Sequence, residues 1–567
     1  MFSNNLLMAA ASASGGGGYS VDNSIRMDKA STANMVLNSG SWGTPSSTTS
    51  GIISLWTKGG GATELLFHTG PQDGTGNDEF HFEIEASQFA TYQRISAAVT
   101  FNYKTTQLLR DPTSWYHILV IYNTDDATST DRIKIFINGV RVTDFATSTA
   151  PSSGAVVRFT ADENNRIGTR TAVAAGGSMD NYLSQFAKLD GYGSYTEADF
   201  GEFDDEGEWR PIDITGLTYG TNGALLDFAV APGTGNGAGT DVSGNGNNFT
   251  DSGLAANDQV TDTPTNVFCT WNSVWEAGGV STSTYADGNL NGIVANGDSV
   301  LGTLGVSSGK WYFEMEHTGL YPLMGFADDT AASNVATGQG KWLLNNATRV
   351  YSSPSGYVTT ATTFSAGDVI GFAIDFDNDA VWASKNGTWM NSATLGEVEA
   401  GTTTNALWSG VLSGKTVFPC SGSDGGSGTT NIINCGQAAL NAGGNADDNG
   451  YGDFDYDVPT DFLSLCTANM TALDFDPADH HQVELVNHDG TSTSFTLGWN
   501  ADTYDTLFII KNRDSSEKWF WVNGLSGYDK YLVSDTTTAI TTDSNVISVS
   551  GTTITLGSSA ALSSDNY

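Results

Sequence analysis

Apolar and polar side chains alternate with a two-residue period through much of this chain, and no segment sustains the 3.6-residue period of a long amphipathic helix. Arg132-Ile-Lys-Ile-Phe-Ile-Asn138 puts its isoleucines on one face and predicts a half-buried strand. Asn138-Gly139 follows at once. Asn-Gly accepts the positive φ of a type I′ turn, so Val140-Arg-Val142 becomes the returning arm of a hairpin. Upstream, Trp115-Tyr-His-Ile-Leu-Val-Ile-Tyr122 is apolar on both faces, which predicts a central strand covered from both sides. These elements belong to a first block, residues 19–250, that reads as a sandwich. Within it, Thr196 with Asp199 three positions on forms an N-cap box and predicts one short helix over Glu197–Phe203.

Residues 265–441 repeat the style. Lys310-Trp-Tyr-Phe-Glu-Met-Glu316 and Val369-Ile-Gly-Phe-Ala-Ile-Asp-Phe376 are strand patterns; Asp377-Asn378-Asp379 turns the chain into Ala380-Val-Trp-Ala-Ser384, and Asn386-Gly387 turns it again, giving a meander. Residues 251–264 and the acidic Gly/Asn/Asp-rich stretch 442–457 are expected as linkers. A third β-rich block, 458–567, carries Thr506-Leu-Phe-Ile-Ile-Lys511, Lys518-Trp-Phe-Trp-Val522 and the turn Asn523-Gly524. Its strand signals run to the last residues, which suggests a chain that continues or a last strand that pairs with a neighbouring subunit. The expected fold class is all-β: antiparallel β-sandwiches in series with very little helix.

Composition agrees and narrows the functions. A chain of 567 residues exceeds one hydrophobic core, and its 67 glycines suit short strands joined by tight turns. With 23 basic against 63 acidic side chains the formal charge is −40. Such a surface repels phosphate backbones, and no basic cluster is present to displace counterions, so a nucleic-acid partner is excluded. An acidic, lysine-poor surface also suits salty surroundings and keeps a repetitive assembly soluble. Cys269, Cys420, Cys435 and Cys466 lack CxxC spacing and are expected as buried thiols, with Cys420 and Cys435 the pair whose spacing admits a bridge. The N-terminus has a short apolar core with Phe2, Leu6, Leu7 and Met8 but no positive flank, which argues against a secretory signal. No stretch is long and apolar enough to span a bilayer, so membrane insertion is not expected. Residues 1–18 read either as a docking peptide on a Gly-rich tether or as a disordered terminus.

Several constellations could carry chemistry. Asp241-Val-Ser-Gly-Asn-Gly-Asn-Asn248 alternates oxygen side chains, with Asp241, Ser243 and Asn245 able to face a hard cation; Ca2+ is the one cofactor this admits. Ser252 stands where such a loop needs a bidentate Glu, and a turn entering the strand at Phe249 explains the same residues. Asp375, Asp377 and Asp379, and the run from Asp447 to Asp457, read first as turn and solvated-loop residues. Glu79, His81, Glu83 and Glu85 share one strand face, an array a sandwich-fold glycoside hydrolase would use, although their spacing departs from the Glu-x-Asp-x-x-Glu arrangement of that family. His480 and His481 are adjacent, point to opposite faces of a strand and do not share an ion readily; His488 adds no metal-ligand spacing.

Trp115-Tyr-His-Ile-Leu-Val-Ile-Tyr followed by Ile133-Lys-Ile-Phe-Ile-Asn-Gly-Val-Arg-Val142 resembles the signature of laminin-G-like, concanavalin A-like domains. Gly309-Lys-Trp-Tyr-Phe-Glu-Met-Glu316 with Gly367-Asp-Val-Ile-Gly-Phe-Ala-Ile-Asp375 and Lys385-Asn-Gly387 resembles a SPRY domain. Both resemblances imply concanavalin A-like (jelly-roll) sandwiches, and the second implies ligand binding through loops at one end without catalysis. On that basis Trp342, Tyr351, Tyr357 and Trp389 are candidate ligand contacts, although an aromatic in a sandwich more often fills the core. The order of apolar tip, laminin-G-like domain, Ala198-Asp-Phe-Gly-Glu202, Asp262-Thr-Pro-Thr-Asn266, SPRY domain and Ile509-Ile-Lys-Asn-Arg-Asp514 resembles virion-surface and fibre proteins of marine tailed phages. That resemblance implies a non-enzymatic tail-fibre or virion-surface protein that recognises a host-surface glycan or protein. It further implies contact with other virion proteins through the N-terminus and a homo-oligomer, a trimer being one form. The alternatives are a purely structural virion component, such as a capsid decoration, head fibre or tail scaffold, and a glycan-degrading enzyme.

Overall fold

The computed structural model describes residues 18–28, 31–59, 63–70, 78–170, 179–191, 194–204, 207–234, 236–275, 283–331, 340–352, 356–423, 428–470, 480–514, 519–534, 537–559, 562 and 567, without side chains for 347–361. Strands dominate. The chain divides into two compact units, Met1–Ala472 and Leu473–Tyr567.

The first unit contains two sandwiches. In the first, an eight-stranded sheet runs in the order Val140–Arg141, Ile133–Ile137, Tyr116–Asn123, Ser50–Lys58, Tyr182–Asp190, Ser24–Arg26 and Gln259–Val260, with Ala224–Leu226 also on Tyr182–Asp190. It faces a second eight-stranded sheet, ordered Phe145–Thr149, Ala98–Leu108, Gln88–Ile95, Glu79–Glu85, Thr63–Thr69, Asn165–Ile167, Asn34–Leu37 and Thr250–Ser252. Ile53, Leu55, Ile118 and Val120 of the first sheet meet Phe67, Phe80, Phe82 and Phe101 of the second in one core. The opposite side of the first sheet is covered as well: Leu119, Ile121 and Phe136 pack with Phe200, Ile214 and Tyr219. That double coverage is why Trp115–Tyr122 is apolar on both faces. The predicted Asn-Gly hairpin forms, with Val140 opposite Ile137 and both Asn138 and Gly139 at positive φ.

The second sandwich pairs a nine-stranded sheet, centred on Lys310–His317, Ile370–Asp375 and Ala380–Lys385, with a six-stranded sheet centred on Pro322–Asp328. Gly325 lies between two neighbouring strands, and a Cβ there would sit 2.2 Å from the Trp342 carbonyl oxygen. Gly325→Ala is therefore expected to destabilise the first unit by roughly 1–3 kcal/mol, read as a lower urea midpoint by tryptophan fluorescence; an unchanged midpoint would refute this close approach.

The expected linkers are not linkers. Residues 251–264 supply paired strands to both sheets of the first sandwich, and Asp262 is buried. Residues 442–457 fold back onto the second sandwich, where Phe454 packs on Tyr312 and the Glu314 carboxylate accepts the N–H groups of Asp455 (2.9 Å) and Tyr456 (3.0 Å). Apolar demand explains both corrections: each polar-looking stretch brings a buried anchor, Val260 in one case and Phe454 in the other. Nor do the two sandwiches hang as separate beads, since Trp56, Trp115, Tyr182 and Val260 join Trp271, Phe313 and Phe372 in a single hydrophobic cluster.

The expected helix over Glu197–Phe203 is a single 3-10 turn, Glu197–Asp199, followed by the strand Gly201–Phe203. Asp199 accepts the Thr196 N–H at 2.7 Å as an N-cap box requires, but a five-residue α-helix forms elsewhere, at Leu395–Glu399 behind Thr394. All four cysteines are free, buried thiols. Among the described residues no helix is long and apolar enough to cross a membrane.

The unit Leu473–Tyr567 is a smaller β-structure of a three-stranded and a four-stranded sheet around Phe508, Ile510, Val522, Ile547 and Ile554.

Candidate functional site

The strand Glu79–Glu85 sends Phe80, Phe82 and Ile84 into the core, so Glu79, His81 and Glu83 stand on the outer face of the second sheet. Cross-strand register extends that face into a row. Arg166 lies opposite His68, His68 opposite His81, His81 opposite Tyr92, and Tyr92 opposite Asn102. Polar residues in such positions would normally be solvated, yet His68 is 2 % and Arg166 0 % exposed.

Glu79 is the hub. Its carboxylate contacts His81 Nε2 at 3.1 Å, Arg170 at 2.7 Å and Arg94 at 3.3 Å. Burial alone would raise its pKa, but the neighbouring imidazoles and Arg170 hold it well below the usual carboxylate range. His81 is held between carboxylates, with Nδ1 3.1 Å from Glu83, while its ring stacks on Tyr92 at 4.2 Å. Burial disfavours charge on His81, but Glu79 and Glu83 outweigh it and its pKa is raised. His68 behaves oppositely: burial pushes it down to about 4, and neither ring nitrogen has a hydrogen-bond partner among the described residues. Its Nε2 lies 4.0 Å from Glu79, too far for a hydrogen bond. Among the described residues Arg166 has one bond, Nη1 to the Gly70 carbonyl at 3.2 Å, and its Nε and Nη2 have none.

This arrangement bears on two kinds of chemistry. A glycoside hydrolase needs one carboxyl kept protonated by its surroundings, and Glu79 is held ionised instead, which makes it a poor proton donor. His68, Glu79 and His81 present two nitrogens and an oxygen within 4.8 Å of one another, a donor set compatible with a transition metal. Arg94 and Arg170 on the same carboxylate oppose a cation there.

Other predicted sites divide. Trp342 is a correction: it is buried in the second core, stacked on Phe326 at 5.2 Å, because its strand Lys341–Asn345 is paired on both edges. Trp389 is half-buried against the cluster around Tyr312 and Trp382. Tyr351 and Tyr357 face each other in register, and their side chains lie outside the described residues, as do Phe2, Leu6, Leu7 and Met8 altogether. The Asp241 loop closes on itself. Asp241 accepts the N–H groups of Leu225 (2.9 Å), Ser243 (2.9 Å) and Asn247 (2.8 Å), Ser243 Oγ accepts that of Asn245, and the Asn245 amide donates to the carbonyls of Gly220 and Gly223. The Asn245 amide N–H groups are thus held by the protein, and the turn reading accounts for these bonds. Asp375, Asp379 and Asp447 likewise accept bonds from their own turns or neighbouring loops.

In the second unit, His480, His481, Trp499, Tyr504, Leu507 and Ile509 line a cavity of about 420 Å³. Nearby strands expose an apolar ladder, Ile509 opposite Trp521 and Trp521 opposite Leu532.

No family model and no curated protein matches this chain. Among solved structures it is similar to the SPRY domain of human HERC1, at 18% identity over 27% of this chain and 91% of that one with a TM-score of 0.21. It is also similar to a native heptameric SAP-like pentraxin from Limulus polyphemus (13% identity, 30% and 76% covered, TM-score 0.23) and to the TRIM65 PSpry domain (11% identity, 29% and 91% covered, TM-score 0.23).

Proposed function

We propose that this chain is a non-enzymatic recognition protein of a tailed-phage virion surface, a fibre or adhesin, that binds a host-surface glycan or protein. The observation that carries the reading is the row Arg166–His68–His81–Tyr92 on the outer face of the first sandwich, where donors and an aromatic ring are gathered beside a Glu79 carboxylate held ionised. The seat of recognition thereby moves from the loops of the second sandwich to a sheet face of the first. Phage origin is supported by the resemblance in domain order and motifs, and attachment to other virion proteins through the N-terminal tip belongs to the same reading. So does action at the virion surface after synthesis in the host cytoplasm. A homo-oligomer, such as a trimer, would multiply weak contacts into avidity.

The test incubates the purified protein with candidate host cells and an array of surface glycans, with and without calcium, and measures bound fraction and sugar release together. Saturable binding without release is expected, and Tyr92→Ala should weaken it by about tenfold through loss of ring stacking. Sugar release that disappears in Glu83→Ala would overturn the non-enzymatic reading.

A second reading, a purely structural virion component, is favoured by one observation: the exposed ladder Ile509, Trp521 and Leu532, which suits packing against a neighbour. Self-association lost on Trp521→Ser, without binding to cells or glycans, would favour it.

A further inference from the structure

We propose that the outer face of the first sandwich holds an oxyanion, a carboxylate or sulfate group of its ligand, between Arg166, Arg170 and His68. The inference deepens the recognition reading and rests on it. Its origin is a surplus of buried donors. A guanidinium carries five N–H donors and no acceptor, and burying one without a counter-ion is strongly unfavourable. Arg166 is fully buried, no ion pair forms to it among the described residues, and its Nε and Nη2 remain empty. Arg170 Nε and both His68 nitrogens are empty too among the described residues. Neutral imidazole keeps one N–H, so each of the three residues retains at least one donor atom without an acceptor among the described residues.

The acids of the site do not fill this deficit. Glu79 already receives His81, Arg94 and Arg170, and Glu83 receives His81. Arg94, Arg166 and Arg170 therefore face two carboxylates, Glu79 and Glu83, a local excess of positive charge in a chain whose formal charge is −40. A cation at the same place would add to that excess, whereas an oxyanion would satisfy the empty donors with charge-assisted bonds. Arg94 and Arg170 have side chains 41% and 34% exposed, so the site is open to solvent on their side. The Tyr92 ring, 5.6 Å from the Arg94 guanidinium, lies beside that opening as a surface for an attached sugar or other flat group.

Calorimetric titration of the full chain at constant ionic strength tests the site with sodium sulfate, phosphate and acetate against chloride, and separately with glucuronate- or sulfate-bearing polysaccharides and neutral ones. Zinc and calcium chloride form a parallel arm. Saturable binding of an oxyanion is expected, weakened about tenfold or more in Arg166→Met and in Arg170→Gln. Arg166→Met removes an uncompensated buried charge and is expected to fold, which circular dichroism checks. Preference for charged over neutral polysaccharide would identify the source as a ligand-borne group; binding of the free salts alone would support only a small-anion site and leave the recognition reading without its ligand. Binding of neutral polysaccharide with no response to any oxyanion would overturn this inference while recognition stands. So would a zinc response that requires His68, Glu79 and His81, or oxyanion binding unaltered by Arg166→Met.

Discussion

Asp262→Ala is expected to lower the stability of the first unit by about 3–5 kcal/mol, because it strands the Lys58 ammonium in a dry junction. Lys58 Nζ lies 2.6 Å from Asp262, with side-chain exposures of 1% and 0%. The other carboxylate oxygen accepts Trp115 Nε1 at 3.1 Å, and the Asp262 carbonyl accepts Ser24 Oγ at 2.6 Å, so one residue ties two strands to the residue that leads into a third. Removing a single partner leaves a charge that water cannot reach. Replacing both with apolar groups removes the problem, so Lys58→Met with Asp262→Leu should recover much of the loss. Because Trp56, Trp115 and Tyr182 share a cluster with the second sandwich, the loss should appear in the unfolding of both sandwiches together. Urea denaturation followed by tryptophan fluorescence reads it. A single variant as stable as the native chain, or a double variant worse than the single, would contradict this account.

Acidification should destabilise the first sandwich through His117 and His68. His117 is wholly buried. Trp209 Nε1 donates to its Nδ1 at 2.9 Å, and its Nε2 sits 2.8 Å from Ser54 Oγ, an arrangement that suits the neutral ring. Burial drives its pKa from 6.5 down to about 3. A histidine depressed in the folded state stabilises fully above its unfolded pKa and loses that contribution as pH falls toward the folded value. The expected slope below pH 6.5 approaches about 1.4 kcal/mol per pH unit, with roughly 2.5 kcal/mol lost by pH 4.5. His68, pushed to about 4, adds a slope of the same sign over most of that window. His81, whose pKa is raised, works the other way: its contribution is complete at low pH and fades as pH rises through its folded value. His117→Asn retains an acceptor for Trp209 and cannot titrate, so its urea midpoint should fall less steeply between pH 7 and pH 4.5. An equal slope in both proteins would remove His117 from the explanation.

Strand patterns were the most legible part of this molecule. The two apolar faces of Trp115–Tyr122, the Asn138-Gly139 hairpin and the meander through Ile370–Asp375 and Ala380–Lys385 each follow from local alternation and turn chemistry, which act over a few residues. Half of the candidate site was visible in the same way, since Glu79, His81 and Glu83 alternate on one strand. The other half was not. Arg166 sits on a three-residue strand too short for a period, and His68, Tyr92 and Arg94 each look like ordinary polar strand positions. Only pairing across four strands aligns them.

The same distinction governs the rest of the chain. Its sequence by itself determined the all-β class, the alternation of inward and outward faces and the absence of a basic surface, because those follow from composition and from a two-residue period that each strand carries alone. The tertiary structure decided that 251–264 and 442–457 belong to the sandwiches, that Trp342 is core, and that Lys58 needs Asp262 some 204 positions away. It also decided that Arg166 is buried without a counter-ion among the described residues. Burial and charge pairing depend on which strands become neighbours, and that choice is made by the closing of two cores against each other, over sequence separations that no local pattern records.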